Sequence, residues 1–223
     1  MSFSDPTQVA DYGQRTARIV PALHDLHKMT GVLLAEHAGV NARVLVLGAG
    51  GGLELKALAT QQPGWRFTGV DPSREMLDLA QQTLGPQATR VDWHQGYIDS
   101  AETGPFDAAT CLLTLHFLPL AERLAALREL HRRLRPGAPL VVAHHSIPDQ
   151  GQARDRWLAR NAAFATASGV PASQAQGSIA AIKARLPLLT PEQDVALLHE
   201  AGFSGIEMFY CALTFKGWVA YRG

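Results

Sequence analysis

This chain of 223 residues has almost no cysteine, no excess of either charge and no long apolar run. Its two cysteines, Cys111 and Cys211, stand far apart in apolar segments. That arrangement excludes a disulfide-stapled fold and a cysteine-based metal site. Both read as buried free thiols of a reducing compartment. Lys+Arg and Asp+Glu number 20 each, so the formal net charge is zero. A generic grip on nucleic acid normally shows a basic excess, so no stable nucleic-acid binding is expected. No stretch reaches the roughly 20 apolar residues that span a bilayer. The start, Met1-Ser2-Phe3-Ser4-Asp5-Pro6, lacks a basic region followed by an apolar run, so no signal peptide is expected. These absences predict a cytoplasmic protein without a membrane partner, homodimerisation being left open. Spacing of Asp, Glu and His shows no metal cage, so no metal is expected. Hydrophobic residues make up 47%, enough for the core of one α/β domain spanning 1–223.

The most informative stretch is Val44-Leu45-Val46-Leu47-Gly48-Ala49-Gly50-Gly51-Gly52-Leu53. A β-branched apolar run reads as a buried parallel strand. It ends in glycines that permit a tight turn and the close approach of a ligand. Glu54–Ala59 then reads as a helix whose unpaired N–H groups point at that ligand. The dinucleotide fingerprint needs a glycine or alanine where Leu53 stands, and the Gly-Lys-Ser/Thr ending of a phosphate loop is absent. A second strand, Trp65–Val70, delivers Asp71 about 20 residues past the glycines, where a carboxylate accepts from ribose hydroxyls. Ser73 is placed to cap the helix that follows Pro72.

Beyond this point strands and helices alternate, the signature of a parallel sheet covered on both faces. Expected strands are Thr89–Trp93, Phe106–Leu113 and Pro139–Ala143, with helices at Ser73–Leu84 and Leu120–Leu134, the latter stopped by Arg135-Pro136-Gly137. Residues 149–189 read as an inserted helical lid broken at Gly169-Val170-Pro171, and residues 1–40 as an N-terminal helical cover. A helix over Pro191–Ala201 and closing strands Gly205–Leu213 and Thr214–Tyr221 complete the chain.

Gly48-Ala49-Gly50-Gly51-Gly52, Val70-Asp71-Pro72-Ser73, Phe106-Asp107 and Leu134-Arg135-Pro136-Gly137, in this order, resemble the class I S-adenosylmethionine (SAM) dependent methyltransferases over nearly the whole chain. Within that superfamily, Thr114-Leu115-His116-Phe117-Leu118, Leu198-His199-Glu200-Ala201-Gly202-Phe203 and Phe209-Tyr210-Cys211 resemble the carboxy-SAM synthases of tRNA wobble-uridine modification. The resemblance implies a Rossmann-like, doubly wound sheet of seven strands, the last antiparallel, with SAM as cofactor. It implies a cofactor set of Gly48, Ala49, Gly50, Gly52, Asp71, Pro72, Met76, Gly96, Tyr97, Ile98, Leu112 and Leu113, with Met76 and Ile98 sandwiching the adenine.

Three departures qualify the resemblance. Val46 replaces the usual acidic residue that orders the loop and the cofactor's amino group. Tyr97 follows Gly96 where an aspartate usually accepts from the adenine, with Asp99 two residues on. Leu197 replaces the arginine that holds the extra carboxylate of carboxy-SAM. Methyl transfer to an oxygen or nitrogen of a small molecule is therefore the expected activity. Carboxy-SAM synthesis and a SAM-binding module without catalysis are the alternatives. Among nine histidines, His116 after the fourth strand is the leading base, with an expected ionisation near the usual value of about 6.5. His144 and His145 leave the fifth strand, where alternation lets only one face the cleft. Tyr12, His24, His27, Trp157 and Tyr210 are candidates for the substrate wall.

Overall fold

Two apolar sets on alternating positions of each central strand explain the architecture. In the computed structural model, which describes residues 12–148 and 150–223, β1 (Arg43–Leu47) buries Val44 and Val46 on one face and Leu45 and Leu47 on the other. The first eleven residues of the N-terminal cover, and Asp149 at the start of the lid, lie outside the described residues. Strands β2 (Arg66–Asp71), β3 (Val91–Gln95), β4 (Ala108–Leu112) and β5 (Pro139–His145) join β1 in parallel. β6 (Phe203–Ala212) and β7 (Phe215–Arg222) close the sheet, whose order is β3-β2-β1-β4-β5-β7-β6. β7 runs antiparallel to both neighbours, as expected.

Helices α1 (Tyr12–Ile19), α2 (Leu23–Ala35), α3 (Leu53–Gln61) and α4 (Arg74–Leu84) precede or follow β1 and β2. Leu26, Leu34, Leu55, Leu58, Leu77 and Leu84 of α2–α4 pack with Val44 and Val46 on one face of the sheet. α5 (Leu120–Arg133) and α8 (Pro191–Glu200) pack Leu127, Leu130, Leu197 and Leu198 against Leu45 and Leu47 on the other. The order reverses between β1 and β4, so the crevice of a doubly wound sheet opens at the C-terminal ends of those strands. The expected insertion forms α6 (Gly151–Ala167) and α7 (Ala172–Arg185), separated at Gly169-Val170-Pro171. Ala162, Ala165, Val170 and Ala175 join the two, and Ile19 of α1 packs on them. Among the described residues no helix is long and apolar enough to cross a membrane.

Local details correct the sequence reading. β3 starts at Val91 because Gly85–Arg90, led by Pro86, coil into a 3₁₀ turn. β4 is shorter than expected, since Phe106 only bridges Leu134. β5 runs two residues further, so His144 and His145 lie within it. Cys111 is buried, but Cys211 is exposed, because β6 is an edge strand with a solvated face.

Under β5 sits a buried polar knot. Arg123 Nη1 of α5 lies 2.9 Å from Asp194 Oδ1 of α8, and His144 Nε2 lies 3.0 Å from the same oxygen. Burial opposes the charge on Asp194, but His144, Ser146 and Arg123 hold its carboxyl below the usual range. A pair this buried is costly to break, since the surviving partner is left charged without compensation. Asp194→Ala is expected to lose about 3–5 kcal/mol of stability, read as a lower urea midpoint at constant slope. A midpoint equal to wild type would show that Arg123 finds another partner.

Candidate active site

The glycine loop is tied to β2 by backbone bonds. The amides of Gly48 and Ala49 both donate to the Val70 carbonyl, at 2.9 and 3.0 Å. Gly50 N–H donates to Asp71 Oδ2 at 3.0 Å, and Ser73 N–H donates to Asp71 Oδ1 at 2.9 Å. Each carboxylate oxygen keeps a further lone pair for a ligand hydroxyl. Burial raises the Asp71 carboxyl above its usual value, while these two amide bonds oppose the shift. Ser73 caps α4 as expected, accepting from Met76 N–H.

The glycines differ in purpose. A Cβ at Gly50 would stand 2.7 Å from Asp71 Oδ2 and 2.9 Å from Met76 Cε, so the loop leaves no space for a side chain beside that carboxylate. Gly52, expected to give a ligand backbone access, also lets α3 approach α4. It has φ 73°, and its Cβ would lie 2.7 Å from Ala80 Cα. Pro72 and Tyr97 are exposed at the rim beside Asp71 and Gly96. Met76 and Ile98 are buried, Ile98 in the core cluster with Leu47 and Val70. Asp99 accepts from Ser100 N–H at 2.9 Å and so serves its own turn.

Two cavities adjoin here, sharing Tyr12, Thr16 and Leu113 in their walls. The smaller, about 30 Å³, lies against Gly48, Ala49, Gly50, Glu54 and Leu112. The larger, about 670 Å³, is enclosed by α1, α6, α7, the end of β4 and Phe215. Leu113 stands between them with φ 56°, a left-handed conformation unusual for leucine, held by its N–H bond to the Ala143 carbonyl. Such strain persists where surrounding structure enforces it, and it clusters at ligand sites.

The larger cavity has mostly apolar walls, including Ile19, Val20, Ala162, Val170 and Ile182, with Arg15 and Arg185 as its cations. Its buried polar groups are His116, His145 and Asn161, whose Oδ1 has no hydrogen-bond partner. The His145 amide donates to His116 Nδ1 at 3.4 Å, a bond that leaves the proton of neutral His116 on Nε2. His145 Nδ1 lies 2.9 Å from Thr214 Oγ1, and its ring stacks on Phe215 with centroids 4.0 Å apart. Burial, with His144 and Lys216 adding to it, pushes His145 down to about 3. Burial and the neighbouring His145, His144 and Arg123 hold His116 well below the usual histidine value. Both rings are biased toward the neutral form, and His116 departs from the expected ionisation near 6.5.

The sequence candidates separate cleanly. Tyr12, His116 and His145 line the large cavity, and His27 lines the small one. His144 faces the opposite side of β5, toward Asp194, because strand residues alternate. His24 is exposed on α2. Trp157 lies outside both walls, with Arg160 and Lys216 over its ring, because α6 turns it toward Leu158 and Leu188. Tyr210 is spent on structure, its hydroxyl donating to the Pro21 carbonyl. Missed from sequence were Thr16 and Asn161, polar residues in helices with no motif around them, and Glu54, which was read only as part of the helix after the glycines.

Comparison with known proteins shows the family and the fold. A family model described as a methyltransferase domain matches residues 44–137. The chain is 30% identical over 224 residues to a carboxy-S-adenosyl-L-methionine synthase from Chromohalobacter salexigens, covering 98% of this chain and 82% of that one. A SAM-dependent methyltransferase structure from Aquifex aeolicus shares the fold with TM-score 0.66 and 15% identity, over 98% of this chain and 99% of the other. A solved chain from Nostoc punctiforme gives TM-score 0.70 at 20% identity; this chain covers 59% of its length and is itself covered over 97%.

Proposed function

The chain belongs to the class I SAM-dependent methyltransferase superfamily, and on that premise we propose that it methylates an oxygen or nitrogen of an apolar small molecule. The carrying observation is the 670 Å³ apolar cavity that meets the glycine loop at Leu113 and presents two neutral histidines. That volume suits a drug-sized ligand. SAM supplies an electrophilic sulfonium methyl when bound. The residues present fit it: the side-chain-free Gly50, the Asp71 carboxylate beside it and the buried, unpartnered Glu54 Oε1. In this reading Asp71 holds the ribose, Gly48, Ala49, Leu112 and Leu113 line the amino-acid end, and Met76 and Ile98 flank the adenine.

On the acceptor side, His116 Nε2–H donates to the acceptor and orients it. His145, with Nδ1–H given to Thr214 Oγ1, offers Nε2 as the base. The acceptor hydroxyl grows acidic as its oxygen is alkylated, so a base depressed by burial takes the proton in the same step. Asn161 Oδ1 accepts from a second polar group of the ligand. α6 and α7 act as the lid that excludes bulk water.

Labelled SAM, incubated with apolar hydroxyl- and amine-bearing metabolites, is expected to give an organic-extractable labelled product. Absence of any product from protein that binds SAM would overturn the methyltransfer reading. The carboxy-SAM synthase relative, 82% of which this chain covers, supports a second reading. Against it, Leu197 is buried in the core with Leu198, Ala201 and Phe203 and offers a carboxylate nothing. The mass of the cofactor that co-purifies decides between SAM and carboxy-SAM.

Asp71→Ala is expected to weaken SAM binding at least about tenfold, since charge-assisted bonds to ribose are worth about 1.5–3 kcal/mol each. Calorimetry checks it. An unchanged Kd would leave Asp71 as a turn residue alone.

A further inference from the structure

Val46 stands where the resemblance places an acidic residue, yet a carboxyl reaches that spot from another element. Val46 pairs in register with Thr110 of β4. Both occupy strand positions facing the α3 side, as Val46 packs with Leu55 and Leu58. Glu54, in the first turn of α3, brings its carboxyl beside the Thr110 hydroxyl. Glu54 is 8% exposed, and its Oε1 has no hydrogen-bond partner. Burial pushes this carboxyl up to about 7.

A buried carboxyl with one oxygen unpartnered is costly unless something compensates it. Among the described residues no lysine or arginine lines the small cavity, and burial, with His24 adding to it, pushes the histidine there, His27, down to about 4 and so keeps it neutral. Protonation neutralises the carboxyl while the site is empty, and a cation that ionises it arrives with a ligand. At about 30 Å³ the cavity admits a group the size of water or an ammonium. SAM carries two cationic groups. Its sulfonium is wrapped in carbon and has no N–H to give, whereas its α-ammonium has three donors.

We propose that Glu54 receives the α-ammonium of the bound cofactor, supplying from α3 the carboxylate that β1 lacks at Val46. Glu54 is thus a positioning residue. It fixes the amino-acid end against Gly48, Leu112 and Leu113 and so sets the direction in which the methyl faces the large cavity. The inference rests on the cofactor and is independent of the acceptor.

The test is calorimetric binding of S-adenosylhomocysteine and its desamino analogue, which keeps the carboxylate and loses the amine. Wild type is expected to prefer S-adenosylhomocysteine by at least about tenfold, the worth of one charge-assisted hydrogen bond. In Glu54→Gln the preference is expected to shrink to within about threefold, while affinity for the desamino analogue holds or rises. Retained binding of that analogue also reports a folded site. Should the glutamine variant not fold, Glu54→Asp carries the same comparison, keeping the charge but withdrawing it by one methylene. Equal wild-type affinity for the two ligands overturns the proposal and leaves the cavity to a water. So does a preference that survives unchanged in the variants, which would assign the amine to backbone carbonyls.

Discussion

His145→Ala is expected to lower kcat by about 10²–10⁴-fold, the range of a positioned acid–base group, with SAM affinity unchanged. His145 lines the larger cavity, proposed for the acceptor, and not the smaller one at the glycine loop, so its loss is expected to fall on chemistry. His116→Ala removes a donor that orients the acceptor and is expected to raise KM as well. The pH profile separates this arrangement from an exposed histidine base. His145 sits at about 3 and His116 well below its usual value, both driven first by burial. Neither ring then titrates near the ordinary histidine value, so kcat should show no rising limb near 6.5. Thr214→Val removes the partner of His145 Nδ1 and should cost kcat without touching the cofactor. Full activity in His145→Ala would remove it from the chemistry, and a rising limb near 6.5 would mean that the cavity is wet.

Acid should destabilise the protein well before its ordinary carboxylates titrate. A histidine buried neutral has a folded pKa below its unfolded value, so the unfolded chain binds more protons between the two. Stability is then full above about 6.5 and falls as pH drops toward the folded value. His27 at about 4, His145 at about 3 and His116 act together in this window. Glu54 has the opposite sign. Its folded value near 7 means that it destabilises at neutral pH and that this penalty fades as pH falls toward the usual carboxylate value. Asp71, also raised by burial, adds in the same direction as Glu54. Three histidines against these two carboxyls leave a net loss of stability as pH falls below about 6.5. Thermal melts from neutral to mildly acidic pH measure it. Glu54→Gln removes the offset and should steepen the acid limb, whereas a flat Tm over that range would show that water reaches these rings.

Much of this molecule is written locally. The β-branched run into Gly48-Ala49-Gly50, the capping Ser73 and the stop at Pro136-Gly137 are choices made by dihedral preference and hydrogen bonding within a few residues. They set the order of strands and helices, and with it the placement of Asp71 beside the loop. Period-two alternation also established that only one of His144 and His145 could face the cleft. Which one did not follow, because that depends on where β5 sits between β4 and β7 and on which face α1 and α6 cover. The same limit hid Glu54, whose burial arises only when α3 packs over Thr110, and Asn161, whose unpaired Oδ1 has meaning only beside the cavity. Tyr210 looked like a wall residue until the chain returned Pro21 to its hydroxyl. Elements and their order come from local propensity and periodicity, while facing, burial and protonation come from contacts between residues distant in sequence, and those exist only in the packed fold.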